Sequence, residues 1–319
     1  MAAAPYALGL VGARGYVGAE LLALLASHPD FAIALATSRE RAGQPAASVA
    51  PGLPPGLVFE SLDAEGCAAR RLDGYVLALP NGRAAEYADA VARARPDAVV
   101  VDLSADHRFD PAWRYGQPER RRRELAGARR VANPGCYATA LQLALAPLVP
   151  RLAGPPHAFG VSGYSGAGSE PSPRNDPARL RDNLLPYALV DHVHEREVSH
   201  QLGVPLSFSP HVAPFFRGLS VTVQAPLAPG ESLASLDAAF REAYGGEPLV
   251  RYFGPGEPPS PRDAAGRHDV TLGGLALSRD GRRAGLVAAL DNLLAGAATQ
   301  ALRNLNLAFG LPENRGVPA

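Results

Sequence analysis

Tyr6-Ala-Leu-Gly-Leu-Val11, followed by Gly12-Ala-Arg-Gly15-Tyr-Val-Gly18, decides the fold of this chain. The first run is short and apolar with no polar alternation, which marks a strand buried on both faces. The second is a Gly-rich turn. Behind it, Ala19 to Ser27 carries Leu21, Leu22, Leu24 and Leu25 at helical spacing. Working outward, Phe31 to Thr37 is a second apolar strand. Tyr75 to Leu79 is a third, ended by Pro80-Asn81-Gly82, and Ala84 to Arg95 is a helix stopped by Pro96. Ala98 to Leu103 is a fourth strand. Strands alternating with helices predict an α/β fold: a Rossmann-like, doubly wound parallel sheet with ligands at the carboxyl ends of its strands.

The turn is a variant of the dinucleotide fingerprint. Its glycines, with Arg14, Tyr16 and Val17 between them, bring backbone N–H groups and a helix N-terminus towards a pyrophosphate. A ribose 2′-hydroxyl calls for Asp or Glu at the end of the second strand. Here the strand runs into Thr37-Ser38-Arg39. A hydroxyl and a guanidinium suit a 2′-phosphate, so Ser38 and Arg39 predict NADP(H), with the adjacent Glu40 opposing them.

After about residue 150 Pro and Gly become dense and β-like segments dominate: His157 to Ser162, Leu219 to Pro226, Asp269 to Leu277 and Gly285 to Leu290. One helix, Leu233 to Ala243, separates them. This pattern predicts an α+β domain with a mostly antiparallel sheet over 149–290, following a nucleotide domain over 1–148. A last helix within 291–319 has apolar positions at Leu294, Ala298, Ala301, Leu302, Leu305 and Ala308, and is expected to complete the first domain.

Asn133-Pro-Gly-Cys136-Tyr137 stands directly before the helical stretch Ala138 to Leu148. With Asn133 as N-cap and Pro134 at the first helical position, Cys136 falls in the first turn, among unpaired N–H groups at the positive end of the helix dipole. That environment favours a thiolate, and the same N–H groups suit an oxyanion. A thiolate beside a nicotinamide site implies acyl-phosphate chemistry: sulfur displaces phosphate, and hydride takes the thioester to an aldehyde. Such a site needs a proton donor and cations. His192 and His194 offer the first; their i, i+2 spacing puts both rings on one side in an extended segment and apart in a helix. Ser104 and Arg108 follow a strand end and suit the acyl phosphate, or shape their loop through an Asp–Arg pair. Asn133 is a further substrate candidate, and Arg217 suits a substrate carboxylate. Ser165 and Gly166, in a flexible Gly-rich stretch, suit the nicotinamide.

Composition removes other classes. Arg plus Lys and Asp plus Glu both number 31, all the basic ones being Arg, so neither nucleic acid nor a membrane surface finds a basic footprint. The run Glu119 to Glu124 reads as a solvated loop. The two cysteines make no disulfide framework and show no zinc spacing, and no third ligand joins the paired histidines, so no metal is expected. Met1-Ala-Ala-Ala-Pro5 lacks the pattern of a signal peptide, and no apolar run approaches the roughly 18 residues of a membrane span. A soluble, cytoplasmic protein is expected. A cysteine hydrolase would leave the Gly-rich turn unexplained, and a dinucleotide sensor would show no turnover.

Residues Gly12 to Gly18, Asp102 to Arg108, Asn133 to Thr139, Ser162 to Gly168, His192 to Glu197 and Asp291 to Phe309 together resemble the N-acetyl-γ-glutamyl-phosphate reductases of arginine biosynthesis, nearly end to end. Asn-Pro-Gly-Cys-Tyr-Ala-Thr is the specific motif. The resemblance implies NADPH-dependent reduction of N-acetylglutamyl 5-phosphate to the 5-semialdehyde with release of phosphate, and a homodimer or homotetramer. It implies Cys136 as nucleophile, the His-x-His segment as acid/base, and Asn292 near the nicotinamide. Aspartate- and aminoadipate-semialdehyde dehydrogenases are the alternatives within the superfamily. His107 and Val193 depart from the family's usual Tyr and Arg.

Overall fold

The computed structural model describes residues 5–318; the expectation about a signal peptide at residues 1–4 lies outside them. The chain divides into two units. Described residues up to Gly135 join those from Ala297 onward in the first, and Cys136–Gly296 forms the second.

The first unit is built on strands β1 (Tyr6–Val11), β2 (Phe31–Thr37), β3 (Phe59–Glu60), β4 (Gly74–Leu77), β5 (Val99–Asp102), β6 (Arg114–Tyr115) and β7 (Arg130–Ala132). Their order is β3-β2-β1-β4-β5-β7-β6, and every pairing is parallel. The predicted parallel α/β sheet is therefore present. The order reverses beside β1, and the Gly-rich turn leaves that strand's carboxyl end, where such sheets bind ligands. Helices α1 (Tyr16–Ala26), α2 (Ala64–Ala68), α3 (Ala84–Ala94) and α4 (Pro118–Leu125) complete the crossovers. Leu21, Leu22 and Leu25 of α1 join Leu8, Leu10 and Val76 in one core.

The second unit holds α5 (Cys136–Leu145), β8 (His157–Gly163), α6 (Pro177–Leu180), β9 (Leu185–Pro186), α7 (Val193–Leu202), β10 (Ser207–Ala213), β11 (Leu219–Pro226), α8 (Leu233–Tyr244), β12 (Val250–Tyr252), α9 (Pro261–Ala264), β13 (Val270–Leu277) and β14 (Arg283–Leu290). The sheet order is β12-β13-β14-β11-β8-β10-β9. It is mixed: β8–β10 and β12–β13 are parallel and the remaining pairs antiparallel. Along β11, Leu219, Val221, Val223 and Ala225 are buried, and they meet Tyr137, Leu141, Leu236 and Phe240 from α5 and α8.

Four expectations change. The division falls at 135/136 rather than 148/149, because α5 buries its apolar side chains in the second unit's core. The last helix is not continuous: 294–298 form a π-turn, and only α10 (Thr299–Ala308) is α-helical. Residues 291–296 accordingly remain with the second unit. Ala298, Ala301, Leu302 and Leu305 lie in the first unit's core. The run 119–124 is helical rather than a solvated loop. Glu119 and Arg122 join Arg303 and Glu313 in an ion network that leaves the Arg303 side chain only 6% exposed, with Arg303 Nη1 donating to Glu119 Oε1 at 2.6 Å. The apolar residues of α10 carry Arg303 inwards, and Glu119 of α4 and Glu313 beyond α10 supply its partners. Finally, α5 begins at Cys136, so Asn133 is not its N-cap and Pro134 is not its first residue.

Candidate functional site

In the first unit the three turn glycines do different work. Gly12 has φ +85°, and a Cβ there would lie 2.4 Å from the Ala78 carbonyl oxygen. A Cβ at Gly18 would lie 2.8 Å from the Ala13 backbone, so this glycine lets α1 pack on the turn. Gly15, the residue before α1, has nothing within 4 Å of such a Cβ and leaves open space over the helix start. Tyr16, Val17 and Gly18 open the helix, so their N–H groups have no acceptor within it. This cradle fits a pyrophosphate.

The end of β2 is tied to the turn. Gly12 N donates to Thr37 Oγ1 at 3.1 Å and Ala13 N to the Thr37 carbonyl at 2.9 Å. Ser38 is buried and its Oγ accepts from Arg41 N, while Arg39 is exposed. Glu40 is held by Arg14, whose Nη1 reaches both carboxylate oxygens at 2.7 Å. The acid that opposes a 2′-phosphate thus carries its own cation.

The loop after β5 is a self-contained knot. Asp102, fully buried, accepts from Ser104 N and Ser104 Oγ at 2.8 Å and meets His107 Nδ1 at 2.6 Å. His107 stacks on Trp113 with ring centres 3.9 Å apart. Ser104 Oγ also accepts from Asp106 N, so its hydroxyl both donates and accepts within the loop. Asp106 accepts from Gly82 N and Ala84 N at the start of α3. Arg108 donates Nε to the Asn133 carbonyl at 3.0 Å and Nη2 to the Leu103 carbonyl at 2.9 Å. Asn133 Oδ1 in turn accepts from Asn304 Nδ2 at 2.8 Å. Arg108 and Asn133 therefore belong to one buried cluster.

In the second unit Cys136 is the first residue of α5 and lines a cleft with Tyr137, Ser162, Gly166, Arg174, Tyr187 and His194. Sequence reasoning missed Arg174 and Tyr187. The histidines are neither extended together nor far apart: His192 is the N-cap of α7 and His194 lies in its first turn, with ring centres 4.9 Å apart. His192 Nδ1 accepts from His194 N at 3.1 Å. Burial, reinforced by the Arg174 charge, pushes the His192 imidazole down to about 4. His192 is thus a neutral cap, and His194 is the histidine of the cleft. Glu195 fastens this turn by accepting from Phe208 N at 2.8 Å and Asp191 N at 3.2 Å.

Ser165, Gly166 and Asn292 converge. Asn292 Nδ2 donates to Ser165 Oγ at 2.9 Å, its Oδ1 accepts from Gly218 N at 2.9 Å, and a Cβ on Gly166 would meet Ser162 Oγ at 2.9 Å. Arg217 lines a different groove, with Phe215, Phe253 and Ser260. It pairs with Asp291, a fully buried carboxylate 3.2 Å away that also accepts from Gly266, Leu293 and Leu294 N–H groups. The other cysteine, Cys67, is fully buried in α2, and burial pushes its thiol up to about 12.

A parallel nucleotide-type sheet followed by a mixed-sheet unit opening on a helix-start cysteine defines a class, the semialdehyde dehydrogenases. Residues 7–128 match the family's NAD binding domain and residues 136–292 its dimerisation domain. Within that class, the chain is 52% identical to the N-acetyl-gamma-glutamyl-phosphate reductase of Xanthomonas campestris pv. campestris (strain B100) over 98% of both chains. It is 51% identical to that of Xylella fastidiosa (strain M23), covering 100% of this chain and 97% of the relative. The chain belongs to the N-acetyl-γ-glutamyl-phosphate reductase family. Its fold is also that of aspartate semialdehyde dehydrogenase II from Vibrio cholerae, complexed with ASA, at 17% identity, with a TM-score of 0.78 and coverage of 97% and 99%. The Candida albicans aspartate semialdehyde dehydrogenase with NADP aligns at a TM-score of 0.73, 17% identity and 96% and 99% coverage. Among the described residues no helix is long and apolar enough to cross a membrane.

Proposed function

We propose that this chain catalyses the NADPH-dependent reduction of N-acetyl-L-glutamyl 5-phosphate to N-acetyl-L-glutamate 5-semialdehyde and phosphate, a step of arginine biosynthesis in the cytoplasm. The observation that carries the reading is Cys136 at the first residue of α5, lining one cleft with His194. Cys136 Sγ attacks the acyl carbonyl and expels phosphate, leaving a thioester. The N–H groups that open α5 stabilise the oxyanion. Reduced nicotinamide, when bound, supplies the hydride. His194 protonates the oxygen on which charge develops and takes the proton back as sulfur leaves. His192 holds the start of α7.

For the cofactor we assign Gly12, Gly15, Tyr16, Val17 and Gly18 to the pyrophosphate end, Ser38 and Arg39 to the 2′-phosphate with the Arg14 side chain balancing Glu40 beside them, and Ser165, Gly166 and Asn292 to the nicotinamide end. Arg108, positioned with Asn133, is our choice for the acyl phosphate, and Ser104 shapes its loop. For assembly we propose a homodimer or homotetramer. The match to a dimerisation domain supports it, as does the sheet face carrying Phe159, 38% exposed, and the exposed Thr222 and Gln224.

The test is phosphate-dependent oxidation of N-acetylglutamate semialdehyde with NADP⁺, assayed beside aspartate and aminoadipate semialdehydes. Turnover of the acetylated substrate that vanishes in Cys136→Ser is the expected result. Preference for either other aldehyde overturns the assignment.

A further inference from the structure

The cleft around Cys136 contains a cation that the sequence motifs do not single out, Arg174. Arg174 lies in Pro171-Ser-Pro-Arg-Asn175, a polar, proline-rich segment with no apolar period. It is nevertheless well fixed. Asn175 Oδ1 accepts from Ser172 N at 2.7 Å and Ser172 Oγ at 3.2 Å, and its Nδ2 donates to the Gly168 and Glu170 carbonyls at 2.9 and 2.7 Å. One amide therefore staples residues 168–175 into a closed loop. Pro171 and Pro173 restrict φ on either side of Ser172. Asp176 Oδ1 then accepts from Ala178 N at 2.9 Å and caps α6.

The guanidinium lies over the ring of Tyr187, 4.9 Å from its centre. Tyr187 is anchored in turn, its N–H donating to the Pro210 carbonyl at the sheet edge. The Tyr187 side chain also hydrogen-bonds Arg174, so one tyrosine positions the guanidinium at the cleft. Among the described residues no carboxylate pairs with Arg174, and the cleft is lined by no acidic side chain. Arg217, the cation that sequence alone favoured for a carboxylate, is already neutralised by Asp291 and faces another groove.

We propose that Arg174 reads the free carboxylate of the acyl substrate, and so selects amino-acid-derived chains over uncharged ones; this rests on the reading of the cleft as the thioester site. A planar guanidinium matches a carboxylate with two parallel hydrogen bonds. Arg174 is a specificity residue. Sulfur attack requires nothing from it, so its loss weakens substrate selection and leaves the nucleophile intact.

The test compares phosphate-dependent oxidation of N-acetylglutamate semialdehyde with that of 4-acetamidobutanal, which is the same chain without the carboxylate. Wild type is expected to favour the carboxylated aldehyde in kcat/KM by about 10- to 100-fold, the range for one charge-assisted contact. Arg174→Ala removes that preference through a rise in KM, and Arg174→Lys restores part of it. The KM for phosphate and the rate of Cys136 alkylation by iodoacetamide stay unchanged. If wild type oxidises neither aldehyde, the reaction itself is misassigned. If wild type turns over and Arg174→Ala keeps the preference, the role of Arg174 alone is refuted. A raised phosphate KM or slowed alkylation refutes it equally, by moving Arg174 to phosphate or to sulfur.

Discussion

Gly296 lies against Cys136 so closely that a Cβ on the glycine would stand 2.7 Å from the cysteine Cβ and 3.0 Å from Leu290 Cδ1. Real Cβ atoms do not approach that near, so any side chain at 296 displaces either the π-turn 294–298 or the first residue of α5. The first turn of α5 is where a small shift matters, because in the proposed reaction the sulfur and the N–H groups around it act on one carbonyl. Gly296→Ala is therefore expected to lower kcat by about 10- to 100-fold, a 1 Å misplacement being enough for that. Overpacking also costs about 1–3 kcal/mol of stability. Steady-state kinetics beside a denaturant titration check both. Unchanged kcat would mean that the turn, and not the cysteine, gives way.

The proposed reaction gives His192 and His194 different roles, and pH separates them by measurement. His192 titrates near 4 in the folded chain and near 6.5 unfolded. Above pH 6.5 neither state is protonated there and the residue costs nothing. As pH falls from about 6.5 to about 4, the unfolded chain takes up the proton first, so stability is lost across that window. His192→Asn, which keeps a capping acceptor, is expected to flatten this part of the stability profile and to retain most of kcat. His194→Ala is expected to lower kcat by about 10²- to 10⁴-fold, the usual worth of a general acid/base. The opposite pattern in kcat would exchange the two assignments.

How far the molecule could be read without coordinates depended on run length and on locality. β1 and β2 show at their stated bounds because each is an unbroken apolar run beside a turn. β3, β6 and β9 have two residues each and carry no such run. Cys136 was legible because its environment is local, a lead-in and a helix start. Arg174 and Tyr187 were not: their segment has the composition of any surface loop, and it meets Cys136 through the Asn175 staple and the pairing of β9 with β10. Arg217 misled for the same reason, since its partner Asp291 is remote in sequence. The acidic and basic residues of 119–124 read as solvated because charge alone says nothing about an Arg303 brought in by α10.

Reactivity should divide the two thiols cleanly. Cys67 is buried, and burial holds it in the thiol form to about pH 12, whereas Cys136 lines an open cleft. Iodoacetamide at neutral pH is expected to add one carboxamidomethyl group per native chain, on Cys136, with loss of activity and with protection by the acyl phosphate. Peptide mapping reads the site. Labelling of Cys67 in the folded protein, or activity surviving full labelling of Cys136, contradicts the assignment of the nucleophile.

In the proposed reading, cofactor choice depends on Glu40 and Arg14 as a pair. Alone, Glu40 beside the end of β2 would repel a 2′-phosphate and accept from a ribose hydroxyl. With Arg14 Nη1 2.7 Å from both its oxygens, that charge is balanced. Both groups are partly solvent-exposed, at 28% and 65%, so the effect is modest and screened by salt. Arg14→Ala is expected to weaken 2′,5′-ADP binding by several-fold, about 1 kcal/mol, and to leave 5′-AMP nearly unchanged. Adding Glu40→Ala to that variant should recover most of the loss, because the unmasked carboxylate causes it. Arg39→Ala should also weaken 2′,5′-ADP selectively, without rescue by Glu40→Ala. Calorimetric titrations at two salt concentrations resolve these cases. Equal losses for both nucleotides would place Arg14 at the shared 5′-phosphate end, and the preference for NADP(H) would then rest on Ser38 and Arg39.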